Sequence, residues 1–267
     1  MRKLLLTGVA FAELIAAPAM GAEVAVPVAA PVWSWAGCYI GANVGYSWRS
    51  ASYSLAPSTD PASQAFWNPA FIAGAAPSAF TYRTTGGLGG VQAGCNNQID
   101  ILVAGIEADL DWAHISGSQT INTNVPAFAP GLFTSSQTLN WLGTVRGRLG
   151  VTVVEQWLVY ITGGVAYGHM NDNLNFVFPA TNDLQTISTS SLMTGWTLGA
   201  GTEWAFGLNW TLRAEYLYVD LGRQTFTSVP GGRLANLATT LTEHFQNHYN
   251  ILRVGLNYKF ANYYGSY

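Results

Sequence analysis

The chain has 267 residues, a net charge of -3, 9% charged residues and 13% aromatic ones, whereas a soluble globular domain carries roughly 25% charged residues. So few charges cannot coat a water-facing surface, and the mild acidic balance gives no electrostatic case for a nucleic-acid partner. Past the N-terminus no apolar run reaches the ~18 to 20 residues of a membrane-spanning helix, which excludes a helical membrane protein and leaves a β-protein in an apolar solvent.

Arg2 and Lys3 precede the apolar run LLLTGVAFAELIAA and the small-residue stretch PAMGA, the pattern of an exported chain's signal peptide, placed at residues 1–22. Leu4 to Ala17 is short for a membrane anchor. Residues 23–34, rich in Ala, Pro and Val, read as a periplasmic lead-in, and residues 35–267 as a single barrel domain.

Period-two alternation predicts eight strands, at about 35–48, 87–98, 101–114, 139–152, 156–169, 194–206, 209–220 and 249–260. In the first, Ala36, Cys38, Ile40, Val44 and Trp48 share one face, opposite Tyr39, Asn43 and Ser47. The third sets Leu102, Ile106, Leu110 and Trp112 against Glu107, Asp109 and Asp111. In the fourth, WLGTVRGRLGV puts Arg146 and Arg148 on one face and Trp141, Val145, Leu149 and Val151 on the other. The sixth opposes Trp196, Leu198, Trp204 and Phe206 to Glu203, and the seventh Trp210, Leu212, Tyr216 and Tyr218 to Arg213 and Glu215. The last opposes Leu252, Val254, Leu256 and Phe260 to Arg253 and Lys259.

A soluble sandwich also alternates, but its polar face meets water. Here the polar face is mostly Gly, Ser, Thr and Asn with a few opposed charges, which suits a narrow interior. The oily face carries large aromatics at its two ends, as interfacial girdles require. Trp35, Trp157, Trp204, Trp210 and Phe260 mark one interface, and Trp48, Trp112, Trp141, Tyr167, Trp196 and Tyr218 the other. The predicted fold is all-β: an eight-stranded antiparallel transmembrane β-barrel, an up-and-down meander.

Tight links near 99–100, 153–155 and 207–208 alternate with long ones at 49–85, 115–138, 170–193 and 221–248. Outer-membrane barrels have short periplasmic turns and long external loops, so both termini are expected in the periplasm. The long loops are Ala/Pro/Ser/Thr/Asn-rich and read as mobile surface segments without a core of their own. Phe66, Trp67, Phe71 and Phe80 are their candidates for contact with an extracellular partner through loops 49–85 and 221–248; the alternative is that these rings fold back on the rim or dip into lipopolysaccharide. Outer-membrane lipid and lipopolysaccharide are the other expected partners.

Inside the barrel, Glu107, Asp109, Asp111, Glu203 and Glu215 face Arg146, Arg148, Arg213, Arg253 and Lys259, five acids to five bases. Unpaired buried charges are costly, so the balance points to a polar plug rather than a charge-lined pore, and eight strands leave little lumen. Cys38 and Cys95, the only cysteines, share oily-face parity at the periplasmic ends of neighbouring strands, which predicts a disulfide in an oxidising compartment. Two unpaired lipid-facing thiols are the alternative.

WAGCYIGANVGY, GGVQAGCNNQ, VRGRLGV, GWTLGAGTEWAF and ILRVGLNYKF together resemble the alphaproteobacterial outer-membrane immunogenic protein family, porin-family small barrels within the OmpA-like eight-stranded group. The resemblance covers all eight strands and implies a surface-exposed outer-membrane barrel tied to envelope integrity and to host or environmental contact. Barrels of this kind usually end on the aromatic residue of the last strand, here Phe260; seven residues follow it.

His114, His169, His244 and His248 all fall at external strand ends or in long loops. With Ser116 or Ser118 they offer a Ser/His/acid lipid hydrolase as an alternative, and His244 with His248 a surface metal site if that loop were helical. No nucleophile and base stand at a spacing that fixes their geometry, so the reading is a non-enzymatic structural and surface-interaction barrel, without cofactor or metal, and a small channel is its alternative.

Overall fold

The structure, a computed structural model, describes residues 33–125, 130–180, 183–232, 234, 236 and 239–260. The signal peptide at 1–22, most of the lead-in and the residues after Phe260 lie outside the described residues.

Alternation of large and small, oily and polar side chains carries each strand well past the girdle at which hydropathy stops. The strands are β1 (Gly37–Pro57), β2 (Ala79–Ile99), β3 (Leu102–Thr123), β4 (Gly131–Val154), β5 (Trp157–Phe178), β6 (Asp183–Phe206), β7 (Trp210–Thr227), β8 (Val229–Gly231) and β9 (Leu241–Lys259). All pairings are antiparallel: β1 to β7 pair in chain order, β7 pairs with β9 past the short β8, and β1 pairs with β9 to close the barrel. Eight strands make the wall. The three-residue β8 only edges the upper part of β6, at Leu184–Thr186.

Strand length corrects the expected loops. A strand of 24 residues such as β4 is about 80 Å long and, tilted about 40°, rises about 60 Å, against an apolar band of about 25 Å. The barrel therefore stands well clear of the membrane. Segments such as TSSQT and ISTSS read as loops because the wall there meets water on its outer face, yet they continue β4 and β6.

The first long link also holds structure. Asp60 caps helix α1 (Pro61–Ile72) by accepting from the Ser63 backbone N–H at 2.8 Å, with Pro61 pre-set in the first turn. Ser63 Oγ accepts from Thr240 N at 2.8 Å, tying the helix to the start of β9. Trp67, proposed above as an exposed contact, is fully buried; Phe66, Phe71 and Phe80 are partly buried against the same cluster. These rings fold inward because the wall rises far enough to enclose them.

Bulges sit near the outer girdle, at Trp112/Ile115 in the β3–β4 ladder, Leu139/Trp141 in β4–β5 and Asp220/Arg223 in β7–β9. An extra residue reverses which parity faces inward. Thus β4 points Leu142, Thr144 and Arg146 inward below its bulge but Leu139, Gln137 and Ser135 above it, and β7 turns Arg223 outward.

At the periplasmic end the chain bends at Gly37, whose φ of 122° is left-handed. That bend removes Trp35 from strand parity. Trp35 is not a girdle residue: it is 3% exposed and lies under the barrel, its Nε1 donating to Glu155 O at 2.9 Å. The other girdle rings lie on the outer wall, with Trp112 64% and Trp204 62% exposed to the apolar surroundings.

Cys38 and Cys95 are direct partners in the β1–β2 ladder and form a disulfide, with Cα atoms 3.9 Å apart. Unreduced protein should accept no alkyl groups and fully reduced protein two, read by intact mass. Closing a span of 57 residues should add about 4 kcal/mol to unfolding in the chain-entropy account, measurable as a lower denaturant midpoint after reduction.

Candidate functional site in the barrel lumen

Two strands serve as rulers through the interior. Read from periplasm outward, the inward side chains of β4 are Arg148, Arg146, Thr144, Leu142, Leu139, Gln137, Ser135 and Phe133; those of β9 are Asn257, Arg253, Ile251, Tyr249, Asn247, Phe245, Glu243 and Leu241. β4 changes from charged to apolar to polar to apolar, and β9 follows the same order from Arg253 except that Glu243 lies between Phe245 and Leu241. The lumen is stratified.

The lowest layer is apolar: Trp35, Val103, Leu158, Tyr160 and Ala205, with Trp33 against them. Above it lies the charged layer. Arg146 reaches Glu107 at 2.5 Å, Asp109 at 2.7 Å and Glu215 at 3.1 Å. Arg253 reaches Asp109 at 2.8 Å, Asp111 at 3.0 Å and Glu215 at 2.7 Å. Arg213 pairs with Glu107 at 2.5 Å, and Arg148 with Glu203 at 2.7 Å. Each arginine forks between strands, which its planar guanidinium allows and a lysine ammonium would not reproduce.

Tyr39 and Tyr160 complete this layer. Tyr39 donates to Glu107 at 2.5 Å and accepts from Arg148 at 2.9 Å, while Tyr160 donates to Glu215 at 2.9 Å and lies under the Arg148 guanidinium at 4.0 Å. Their rings lean across the directly paired Gly94 and Gly201, where a Cβ would stand 2.5 Å from each hydroxyl. The small residues of the polar face make room for these large ones.

Lys259 departs from the expected network. It ends β9 at the periplasmic rim, where its ammonium donates to Ser34 O and sits 5.1 Å from the Trp33 ring. A flexible stem at the last strand position lets the charge reach the rim instead of the lumen. Five carboxylates therefore meet four guanidinium groups in the charged layer.

The third layer corrects the expectation of a wholly polar interior. Leu88, Ile115, Leu139, Leu142, Met170, Leu217, Leu221 and Ile251 fill the lumen at the outer girdle. Beyond the membrane follows a second polar layer that the reading of separate loops conceals. Arg49 donates to Gln137 Oε1 and to Asn247 Oδ1 at 3.2 Å, and Gln137 donates to Asp172 at 2.6 Å. Burial pushes the Asp172 carboxyl up to about 6, against the opposing pull of Gln137 and Arg49. Burial, aided by the Asp172 charge, pushes Glu243 up to about 8. Tyr53 stacks on Tyr82 at 5.1 Å and on Phe80 at 4.9 Å, and Trp67 of α1 closes the top among Phe176, Phe178, Leu174 and Leu241.

The histidines take separate places. His169 contacts Asn140 through Nδ1 and Ser190 through Nε2, and its ring stacks on Trp141. His244 contacts Thr225 at 2.8 Å, and His248 stacks on Tyr218. His114 is exposed on β3, with Ser116 beside the bulge and Ser118 farther along the strand. The helical condition for a His244/His248 metal pair is not met, because both lie on extended β9, where four residues span about 13 Å.

A family profile described as outer membrane protein beta-barrel domain matches residues 14–260. The 31 kDa outer-membrane immunogenic protein of Brucella melitensis biotype 1 is 37% identical over 272 residues, covering 97% of this chain and 100% of that protein. The 25 kDa outer-membrane immunogenic protein of Brucella abortus biovar 1 is 28% identical over 252 residues, covering 93% and 92%. The crystal structure of the outer membrane protein OprG from Pseudomonas aeruginosa aligns at 12% identity and a TM-score of 0.48, covering 85% of this chain and 98% of that one. Lipid-facing girdles around a closed antiparallel barrel and a profile match across its whole wall agree: the chain is an outer-membrane protein and belongs to the outer membrane protein beta-barrel family.

Proposed function

We propose that this protein is a structural outer-membrane barrel, closed to solute and without catalytic activity, whose tall wall presents a surface to outer-leaflet lipid and to an extracellular partner. The carrying observation is the stratified lumen: two polar layers each lie between apolar ones, so no continuous water path follows the axis. The buried ion pairs hold the wall strands in one arrangement, and the apolar layers seal it. Relatives named as outer-membrane immunogenic proteins support a surface-exposed role.

Conductance tests this reading. Refolded protein in a planar bilayer should give no steady ohmic steps; regular single-channel currents from the wild type would replace the closed barrel with a channel. Arg146→Ala with Arg148→Ala takes the paired arginine from Glu203 and leaves Glu107 with Arg213 alone at close range, and should cost about 3 to 5 kcal/mol of stability. The same variant should still not conduct, because Leu139, Leu142 and Met170 keep the layer above dry.

Orientation follows from link lengths. Protease added to intact cells should cut at the connections above the wall, within residues 58–78 and 228–240, while the strands stay protected. Labelling of a cysteine placed at Asn209 on unpermeabilised cells would invert the topology.

The outer polar layer predicts a pH response. The folded protein keeps on Glu243 a proton that the unfolded chain, with an ordinary value of 4.5, releases, and it does so up to about pH 8. This group's contribution to stability is then fully present below pH 4.5 and is lost as pH climbs through 8. Glu243→Gln should remove most of that decline, leaving the smaller one from Asp172, and should make the variant more denaturant-resistant than wild type at pH 9 and above. An unchanged pH profile would mean water reaches Glu243.

A further inference from the structure

Among the described arginines, five point into the lumen and two point out: Arg83 on β2 and Arg223 on β7. Both outward arginines flank the same seam, where β1 meets β9 above the outer girdle. The β1–β9 ladder runs unbroken to Trp48↔Asn250, lapses, and resumes at Tyr53↔Phe245. Between these points the ladder pairing lapses, and Arg49 donates to Gln246 O at 3.5 Å from inside. Outside, where pairing resumes, lies a groove of about 490 Å³ lined by Ser52, Ser54, Arg223, His244 and Gln246, with Tyr53 and Phe245 forming its floor. Arg223 faces this groove only because the bulge after Asp220 reverses the parity of β7. Arg83 stands across from Ser50 on the next strand pair, and His248 lies along the same outward face of β9. Asp220 is the acid of this face. It lies opposite His248, and its Oδ1 is held by the Gly222 N–H at 2.8 Å.

We propose that this seam binds the phosphate of an anionic glycolipid headgroup in the outer leaflet. A guanidinium, an imidazole, serine hydroxyls and a carboxamide supply the donors that phosphate oxygens accept, and the groove falls in the size range of small-ligand sites. Position selects the lipid over a soluble anion. Ser52 is four residues beyond the girdle ring Trp48, about 10 Å higher on a tilted strand. The groove opens sideways, away from the lumen, at the height where headgroups anchored beside the wall present their phosphates. Outer-leaflet lipid would thus be held at one fixed seam instead of around the whole circumference. Placing the seam in the outer leaflet rests on the orientation proposed above; binding itself does not.

Native mass spectrometry of the refolded barrel in neutral detergent tests this, with bisphosphorylated lipid A, its dephosphorylated form and inorganic pyrophosphate as probes. Bisphosphorylated lipid A should be retained one per barrel, and Arg223→Ala with His244→Ala should weaken it by about tenfold or more, as losing a guanidinium and an imidazole donor implies. Both side chains are on the outer wall, so heat-modifiable folding should survive, and Arg83→Ala should weaken retention less. Equal retention of the dephosphorylated lipid, or unchanged retention by the folded double variant, would overturn the site. Pyrophosphate binding as tightly as lipid A would overturn the lipid headgroup as its ligand. Any of these results with loops still cleaved from outside would remove the seam and leave the structural barrel standing.

Discussion

In hydrocarbon no water is at hand to satisfy a backbone N–H or C=O, so a sheet can cross a membrane only if its first and last strands find one another. The β1–β9 ladder is that closure, and the rest of the molecule follows from it. Eight strands closed on themselves enclose a lumen about one side chain deep from each wall. Such a space cannot hold a conventional core. It is filled in tiers, each from all sides, which is why Arg253 of β9 and Arg146 of β4 converge on the same Asp109 of β3.

Tiering also settles how buried charge is tolerated. An ion taken from water costs several kcal/mol unless its partners are close and its remaining donors are used. The four arginines of the charged layer meet carboxylates from several strands, and the Tyr39 hydroxyl links Glu107 to Arg148. Apolar tiers lie above and below these pairs, so charged and apolar layers depend on each other, and removing either changes the other's surroundings.

How much of this was legible in the sequence depends on what stood on the outer wall. Inside the membrane the outer face must be oily, so alternation marked every spanning strand, placed Glu107, Arg146, Arg148, Arg213 and Arg253 in the lumen, and set Cys38 beside Cys95. Above the girdle both faces of the wall carry Ser, Thr and Asn, and the same backbone looked like loop. The signal for the outer polar layer was there in LTEHFQNHYN, where Leu241, Glu243, Phe245, Asn247 and Tyr249 alternate with exposed residues, but an alternation of mixed polarity has no oily face to reveal it. The helix was announced by TDPASQ, an Asp cap followed by proline. Trp35 and Lys259 were misplaced because strand parity was extended to ends where the chain bends or the side chain escapes to the rim.

Bulges are where local sequence and global shape disagree, and their positions explain the division of labour along the barrel. A single extra residue at Asn140 lets β4 bring Leu139 inward above Leu142, so that an apolar tier follows a charged one without a gap. The extra residue after Asp220 does the reverse on β7, turning Arg223 out of the lumen and onto the outer wall. Outward, its guanidinium keeps its hydration and costs little. The kind of register shift that stacks an apolar tier on a charged one along β4 thus places a cation on the outer wall of β7.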